Sequence, residues 1–314
     1  MSRREGITVY ILVVCTLLAG WVSSAAESFS GSWTIVRSDE PGKVEFALIH
    51  HRHGNSSTHS SDWPLSAFVG LDVSKPGKQD VKFTITRDAG KFDCEGYLND
   101  GEGAGVFHFL ADSKYSSQMS ALGFTGIDEE KQFSMAVMDV SLSFAKEMQN
   151  EHLQGLDTDK LIAFRIFNVN SAFIKELRDA GIAVTDCDKL VAFRIHGVTP
   201  EMVRFLHKSG YQPDEDKLIA MRIHGATPEF IEQLDKEGYQ HVDLDKLIAF
   251  RIHGVSPEFI QKVQSLGYKH PEPDQLIAMR IHGVTPEYIT GLKSKGMQNL
   301  SIDQLVSLRI QGID

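Results

Sequence analysis

Cysteine is scarce in this chain. Its 314 residues hold three, and Cys15 sits in an apolar N-terminal run that reads as removable, which leaves Cys94 and Cys187. Two cysteines so far apart give no disulfide framework, and both read as small buried thiols. Basic runs are missing as well. Lys and Arg number 32 against 42 Asp and Glu, a formal net charge of −10. Without residues 1–26, which carry Arg3, Arg4 and Glu5, the counts are 30 and 41 and the charge is −11. Nucleic acid and anionic lipid are held by clustered cations, so no nucleic-acid partner is expected. Beyond the N-terminus no apolar run approaches the roughly 20 residues of a membrane helix. Neither Gly-x-Ser-x-Gly nor His-Glu-x-x-His occurs. The expectation is a chain without catalysis and without a cofactor.

What is abundant is repetition. Asp188-Lys189-Leu190-Val191-Ala192-Phe193-Arg194-Ile195-His196-Gly197-Val198-Thr199-Pro200-Glu201 returns from Asp216, from Asp245, from Asp274 and, cut short, from Asp303. The arginines keep the register: Arg165, Arg194, Arg222, Arg251, Arg280 and Arg309 are 29, 28, 29, 29 and 29 residues apart. A period in this range marks a stacked array of supersecondary units. Each unit reads as two short helices. The first runs from about Lys189 to Ile195 with Asp188 as its N-cap, and its apolar residues leave almost no polar face except Arg194, which implies burial on several sides. Gly197 fits the left-handed residue that ends it. Thr199-Pro200-Glu201 opens the second helix with a cap, a proline at the first helical position and an acid in the positive first turn. Phe230, Ile231 and Leu234, then Phe259, Ile260 and Val263, give that helix one apolar side. Gly210, Gly238, Gly267 and Gly296 stop it, followed by Tyr211, Tyr239, Tyr268 or Met297.

Stepping back by 29 residues aligns Lys131 with Lys160, Val140 with Val169 and Phe144 with Phe173, and places Tyr115, Met119 and Gly123-Phe124 on a still earlier second helix. Ala136 and Asp139 stand where the arginine and the glycine belong, so this first unit reads as a degenerate cap. The fold class expected is α+β: a small antiparallel β domain over residues 27–111, then an αα-hairpin solenoid over 112–314. About six pairs at one helix spacing each would be roughly 55–65 Å long. Residues 1–26 read as an export signal, with basic Arg3 and Arg4, apolar Ile7–Ala19 and a small-residue cleavage site at Ser24-Ala25-Ala26. The protein is then periplasmic or extracellular, touching the membrane only if that segment stays on as an anchor.

In the β domain, Val81, Phe83 and Ile85, and Phe92, Cys94 and Gly96, alternate with polar residues as strands do. Further strands are expected at Gly31–Arg37, Lys43–His50 and Gly105–Leu110, with a polar loop over His51–Asp62. Four candidate sites emerge. His50, His51, His53 and His59 suggest a metal, but alternation sends His50 and His51 to opposite faces, and a solvated loop is the simpler reading. Gly101–Gly105 is glycine-rich but precedes no helix, so it reads as a hairpin turn rather than a phosphate cradle. His196, His224, His253 and His282 sit one per unit, too far apart to share a metal, and fit helix C-terminal capping. The arginine row is the strongest. Either it forms an internal ladder with Glu201, Glu229, Glu258, Glu287 and the aspartates, or it is an exposed stripe that reads an acidic peptide or anionic glycan.

Leu-Ile-Ala-Phe/Met-Arg-Ile-His-Gly-Val-Thr-Pro-Glu-Phe-Ile closed by Gly-Tyr resembles the repeats that trail membrane zinc metallopeptidases of the beta-lactamase-sensor, or antirepressor, type. Trp33 through Phe109, with Cys94-Glu95-Gly96, resembles the β region beside such repeats. The multi-span part and zinc motif of those peptidases are missing here, so protease activity does not carry over. The resemblance implies an extracytoplasmic sensing or scaffolding role. The function expected is a scaffold that binds a protein or peptide partner in the cell envelope through the repeats, with Arg204, Gln233, Lys262 and Thr290 on the second helices setting partner choice. The alternative is a ligand- or carbohydrate-binding β domain, working through Trp33, Trp63 and the histidine loop, with the repeats as spacer.

Overall fold

A computed structural model describes residues 29–52 and 55–313. The expected export segment and His53 lie outside the described residues. Six strands form one antiparallel sheet: β1 Ser30–Arg37, β2 Lys43–Arg52, β3 Asn55–Pro64, β4 Lys78–Arg87, β5 Gly90–Asn99 and β6 Glu102–Ala111. Their order is β3-β2-β1-β6-β5-β4, two three-stranded meanders joined where β1 pairs with β6. Alternation puts Trp33, Ile35, Phe46, Leu48, Phe83, Ile85, Phe92 and Phe107 on one buried face.

Two expectations change here. The segment taken as a polar loop, His51–Asp62, is the end of β2 and most of β3, which pairs with β2 from Lys43↔Pro64 to Arg52↔Asn55. A serine-rich stretch makes a poor strand by propensity, but ladder pairing outweighs that, and polar residues suit a strand at the sheet edge. The glycines taken as a turn lie mostly inside β6. Gly105 and Gly96 of β5 face the Trp33 indole, where added Cβ atoms would sit 2.7 and 2.8 Å from its ring. The glycines make room for a large side chain in the core.

Fourteen helices follow among the described residues. The first three are α1 Tyr115–Ala121, α2 Glu129–Val137 and α3 Leu142–Asn150; then come α4 Thr158–Ile166, α5 Ser171–Asp179, α6 Cys187–His196 and α7 Pro200–Lys208. The array continues with α8 Glu215–His224, α9 Pro228–Lys236, α10 Leu244–His253, α11 Pro257–Ser265, α12 Pro273–Ile281, α13 Pro286–Ser294 and α14 Ile302–Ile310. None of the described helices is long and apolar enough to cross a membrane. Even-numbered helices pack on even-numbered neighbours and odd on odd, so the array has two layers. Leu190, Phe193, Leu218 and Met221 of the even layer and Val203, Leu206, Ile231 and Leu234 of the odd layer fill the space between units.

Caps act as the repeated residue types require. Thr199, Thr227, Ser256 and Thr285 each accept a backbone N–H with proline next in line. Gly197, Gly225 and Gly254 close α6, α8 and α10 in the left-handed region, at φ 72, 75 and 73°, and Asp139 and Asn168 take the same conformation in earlier units, at 54 and 55°. The N-cap of α6 is Asp186 rather than Asp188. Both aspartates suit a cap, and the helix starts at the earlier one because Asp188 has another partner. Each tyrosine after the odd helix also ties units together: Tyr211, Tyr239 and Tyr268 donate to the carbonyls of Val242, Pro271 and Leu300, just ahead of α10, α12 and α14.

The sheet and the array share one core. Phe133 of α2 enters the buried face of the sheet, with its ring centroid 5.1 Å from Phe29, 5.4 Å from Phe109, 5.9 Å from Phe92 and 6.1 Å from Phe107. Gln132 donates to the carbonyls of Ala89 and Asp112, and Asp88 accepts from the backbone N–H of Leu142 at the start of α3. The departures of the first unit have a cause: Ala136 is fully buried, and Asp139 takes Arg87 of β4 at 3.4 Å and Arg165 at 3.1 Å.

Phe133→Ala is expected to cost about 3–5 kcal/mol and to shift the near-UV signal of the sheet aromatics and the far-UV helix signal together in urea; separate transitions would show two independent cores. Burial pushes the Cys94 thiol far above its usual range and the Cys187 thiol up to about 11, so neither should react with Ellman's reagent at pH 8 until the protein unfolds.

Candidate functional site

The arginine row is a set of staples between units. Each of these arginines follows the buried Phe or Met of its even helix, or Leu308 in α14, and this position carries it toward the preceding unit. In five of the six the guanidinium covers an aromatic ring there: Arg165 over Phe144, Arg194 over Phe173, Arg251 over Phe230, Arg280 over Phe259 and Arg309 over Tyr288, at 5.2, 3.7, 4.9, 5.1 and 4.9 Å from the centroids. Arg222 and Arg280 donate through Nε to the carbonyls of His196 and His253, and Arg165 to that of Met138. Those carbonyls end the previous even helix, where a cation is favoured. An added Cβ on Gly197 or Gly254 would sit 2.9 or 2.8 Å from the incoming guanidinium, so these glycines serve both the turn and the staple. Burial lowers the Arg194 pKa below its ordinary value.

Carboxylates play a smaller part in the row than the sequence suggests. Arg165–Asp139 is its one ion pair within 4 Å among the pairs described. The aspartates expected as caps answer lysines instead. Lys131, Lys160, Lys189, Lys217 and Lys246 reach forward to Asp159, Asp188, Asp216, Asp245 and Asp274 of the next unit. The aspartate hydrogen bond raises the pKa of Lys160, Lys189 and Lys217. These carboxylates are about three-quarters exposed. Among the described residues the rings of His196, His224, His253 and His282 hold no hydrogen bond; it is the backbone carbonyl of His196 and of His253 that the next arginine caps.

The even helices are not buried on all sides. Ile166, Ile195, Ile223, Ile252, Ile281 and Ile310 are each between 52% and 63% exposed, one per unit and in register. An apolar helix presents no polar face by which periodicity could choose its outward side. The core takes Leu190 and Phe193, the preceding unit takes Arg194, and Ile195 is left pointing away. Val191 and Ala192, half-buried, lie on the same side one turn earlier. The result is an apolar ribbon along the even layer. At the same position in the unit docked on the sheet, Val137 is buried. The second-helix residues Arg204, Gln233, Lys262 and Thr290 are exposed on the other layer.

In the β domain, Trp33 and Trp63 are 0% and 6% exposed and present no face to a ligand. His50 packs between Phe29 and Phe133, and its Nδ1 meets the Ser30 carbonyl at 3.0 Å. Among the described residues no three His, Cys, Asp or Glu side chains converge as a metal would need. The outer face of the sheet carries an open groove of about 920 Å³, lined by Ser32, Lys82, Glu95, Tyr97, Ala104 and Val106, with Tyr97 55% exposed.

Fold and surface together define an α+β repeat protein, a six-stranded sheet sealed by the first unit of an αα-hairpin solenoid. Compared with known proteins, the chain matches no family model and no curated relative.

If the arginines are staples, a double-mutant cycle of Arg280→Lys and Phe259→Leu should give a coupling of about 0.5–1 kcal/mol in urea unfolding, because lysine loses both the planar stack and the bond to His253. A coupling of zero would return the row to solvent.

Proposed function

We propose that this chain is a non-enzymatic, exported scaffold that holds a protein or peptide partner of the cell envelope along the isoleucine ribbon. The observation that supports this most is the register of the six isoleucines. Single surface isoleucines are ordinary, but a row on one face is the contiguous apolar patch that marks an interaction surface. Burying a whole aliphatic side chain is worth about 1.5–3 kcal/mol, so covering the open half of each isoleucine adds about 1 kcal/mol. A partner spanning several units gathers enough to bind. The arginines support the ribbon by fixing the spacing of its units. Export rests on the N-terminal segment, and a sensing role on the resemblance to the repeats of the antirepressor-type peptidases.

A second reading is favoured by the sheet groove, where Tyr97 offers an exposed ring to a sugar or other flat ligand and the repeats serve as spacer. The readings separate by photo-crosslinking in the cells that make the protein, with benzoylphenylalanine at Ile223, at Glu232 of the opposite layer, or at Tyr97. Discrete adducts from Ile223 and none from Glu232 are the expected result. Equal labelling from both layers would remove the ribbon, and protein-free adducts confined to Tyr97 would favour the groove.

A further inference from the structure

The ribbon has an edge of one sign, and that edge selects the partner. Asp188 and Ile195 are seven residues apart on α6, two helical turns, so they share a face about 10.5 Å apart along the axis. Every unit repeats this arrangement. The N-caps Asp157, Asp186, Asp214, Asp243 and Glu272 stand beside the first-turn acids of the same helices. From α4 to α14 these caps and first turns carry twelve acids. Five lysines answer them, an excess of seven negative charges against −10 for the whole chain. Most of the protein's net charge therefore borders the ribbon along one side. Where the even helices end, the arginines of the row lie near the first-turn glutamates Glu201, Glu229, Glu258 and Glu287 of the following odd helices, and Arg222 adds to the lowering of the Glu229 pKa after the Thr227 and backbone hydrogen bonds at that helix start.

We infer that the ribbon takes a cationic amphipathic polypeptide segment, with aliphatic side chains on the isoleucines and lysines or arginines along the aspartate edge. The inference rests on the ribbon being the binding face, as proposed above, and adds the chemistry of its occupant. Charge complementarity of this kind sets partner choice and association rate more than total affinity. It also turns away acidic segments, because like charges brought together are costly. An anionic membrane surface is repelled by the same edge.

The test is fluorescence anisotropy on the full chain with two labelled peptides of the same amphipathic pattern. One is built of leucine and lysine, the other of leucine and glutamate, each about 20 residues long so that a helix covers about 30 Å. The leucine–lysine peptide is expected to bind at least about tenfold more tightly, a gap of about 1.4 kcal/mol, and to weaken as salt screens the edge. Ile195→Ser with Ile223→Ser and Ile252→Ser should weaken it about tenfold or more. Asp188→Asn with Asp216→Asn and Asp245→Asn should narrow the gap between the peptides while leaving the melting temperature within a few degrees. Equal binding of both peptides, lost in the isoleucine variant, would overturn the charge inference and leave the ribbon standing. Binding indifferent to the isoleucines, or no binding of either peptide, would overturn both. A dimer in sedimentation velocity that the isoleucine variant dissolves would make a second copy the occupant and overturn the inference.

Discussion

No hairpin in this protein can bury its own apolar side, and that shortage governs the structure. One pair of nine- or ten-residue helices is too short to be stable by itself, and it leaves Leu190, Phe193, Val203 and Leu206 open along one flank. The next unit closes that flank and opens another. Stability is then a chain of nearest-neighbour contacts, and each other repeated feature secures the same boundary. Arginines reach back across it to rings and carbonyls, lysines reach forward to aspartates, and tyrosine hydroxyls donate to the links beyond. Of these the lysine pairs, with their carboxylates largely in water, contribute least. The arginines, five of them over aromatic rings, are worth more because a partly desolvated cation over a ring is attracted by its face.

A stack of this kind needs an end that does not stay open, and the sheet supplies one. Phe133 fills the buried face of the sheet, so the first unit is a cap built from both parts of the chain. What looks degenerate in its sequence is adaptation to that place. A long arginine at position 136 would meet the docked sheet, and Ala136 fits there with no exposed surface. Asp139 keeps the left-handed turn that glycine makes elsewhere and adds a charge between Arg87 and Arg165. The boundary expected between residues 111 and 112 from the change of periodicity therefore runs through a single core.

The repeat was legible because identical units impose identical spacing, and because proline, glycine and threonine mark helix ends whatever surrounds them. Other features depend on neighbours that a sequence does not display. Two aspartates two residues apart, Asp186 and Asp188, suit a cap equally well, and only the lysine of the preceding unit shows which is which. The strand Asn55–Pro64 was hidden by its serines, and its ten residues pair along all ten of Lys43–Arg52. The outward turn of Ile195 was the least legible. Leu, Val, Ala, Phe and Ile on one helix fix no side, so its direction is decided by which flanks the units in front and behind occupy.

That last point ties the proposed binding to stability. An isoleucine held outward on each of the six even helices from α4 to α14 is not required by packing, since serine or glutamate at this position would keep the core and improve solubility. Its cost is a strip of wet aliphatic surface maintained through six units. The pitch of that strip is set by the spacing of the even helices, which Phe or Met at the core position and arginine across the boundary determine between them. A change of core volume at Phe193, Met221, Phe250 or Met279 would therefore alter the distance between successive isoleucines as well as the folding free energy. Substitutions that spare the melting temperature but shift helix spacing would still misalign the ribbon with the partner segment proposed for it, whose own repeat is fixed by its backbone. On that proposal, recognition by a surface built of repeats is sensitive to positions that never touch the partner.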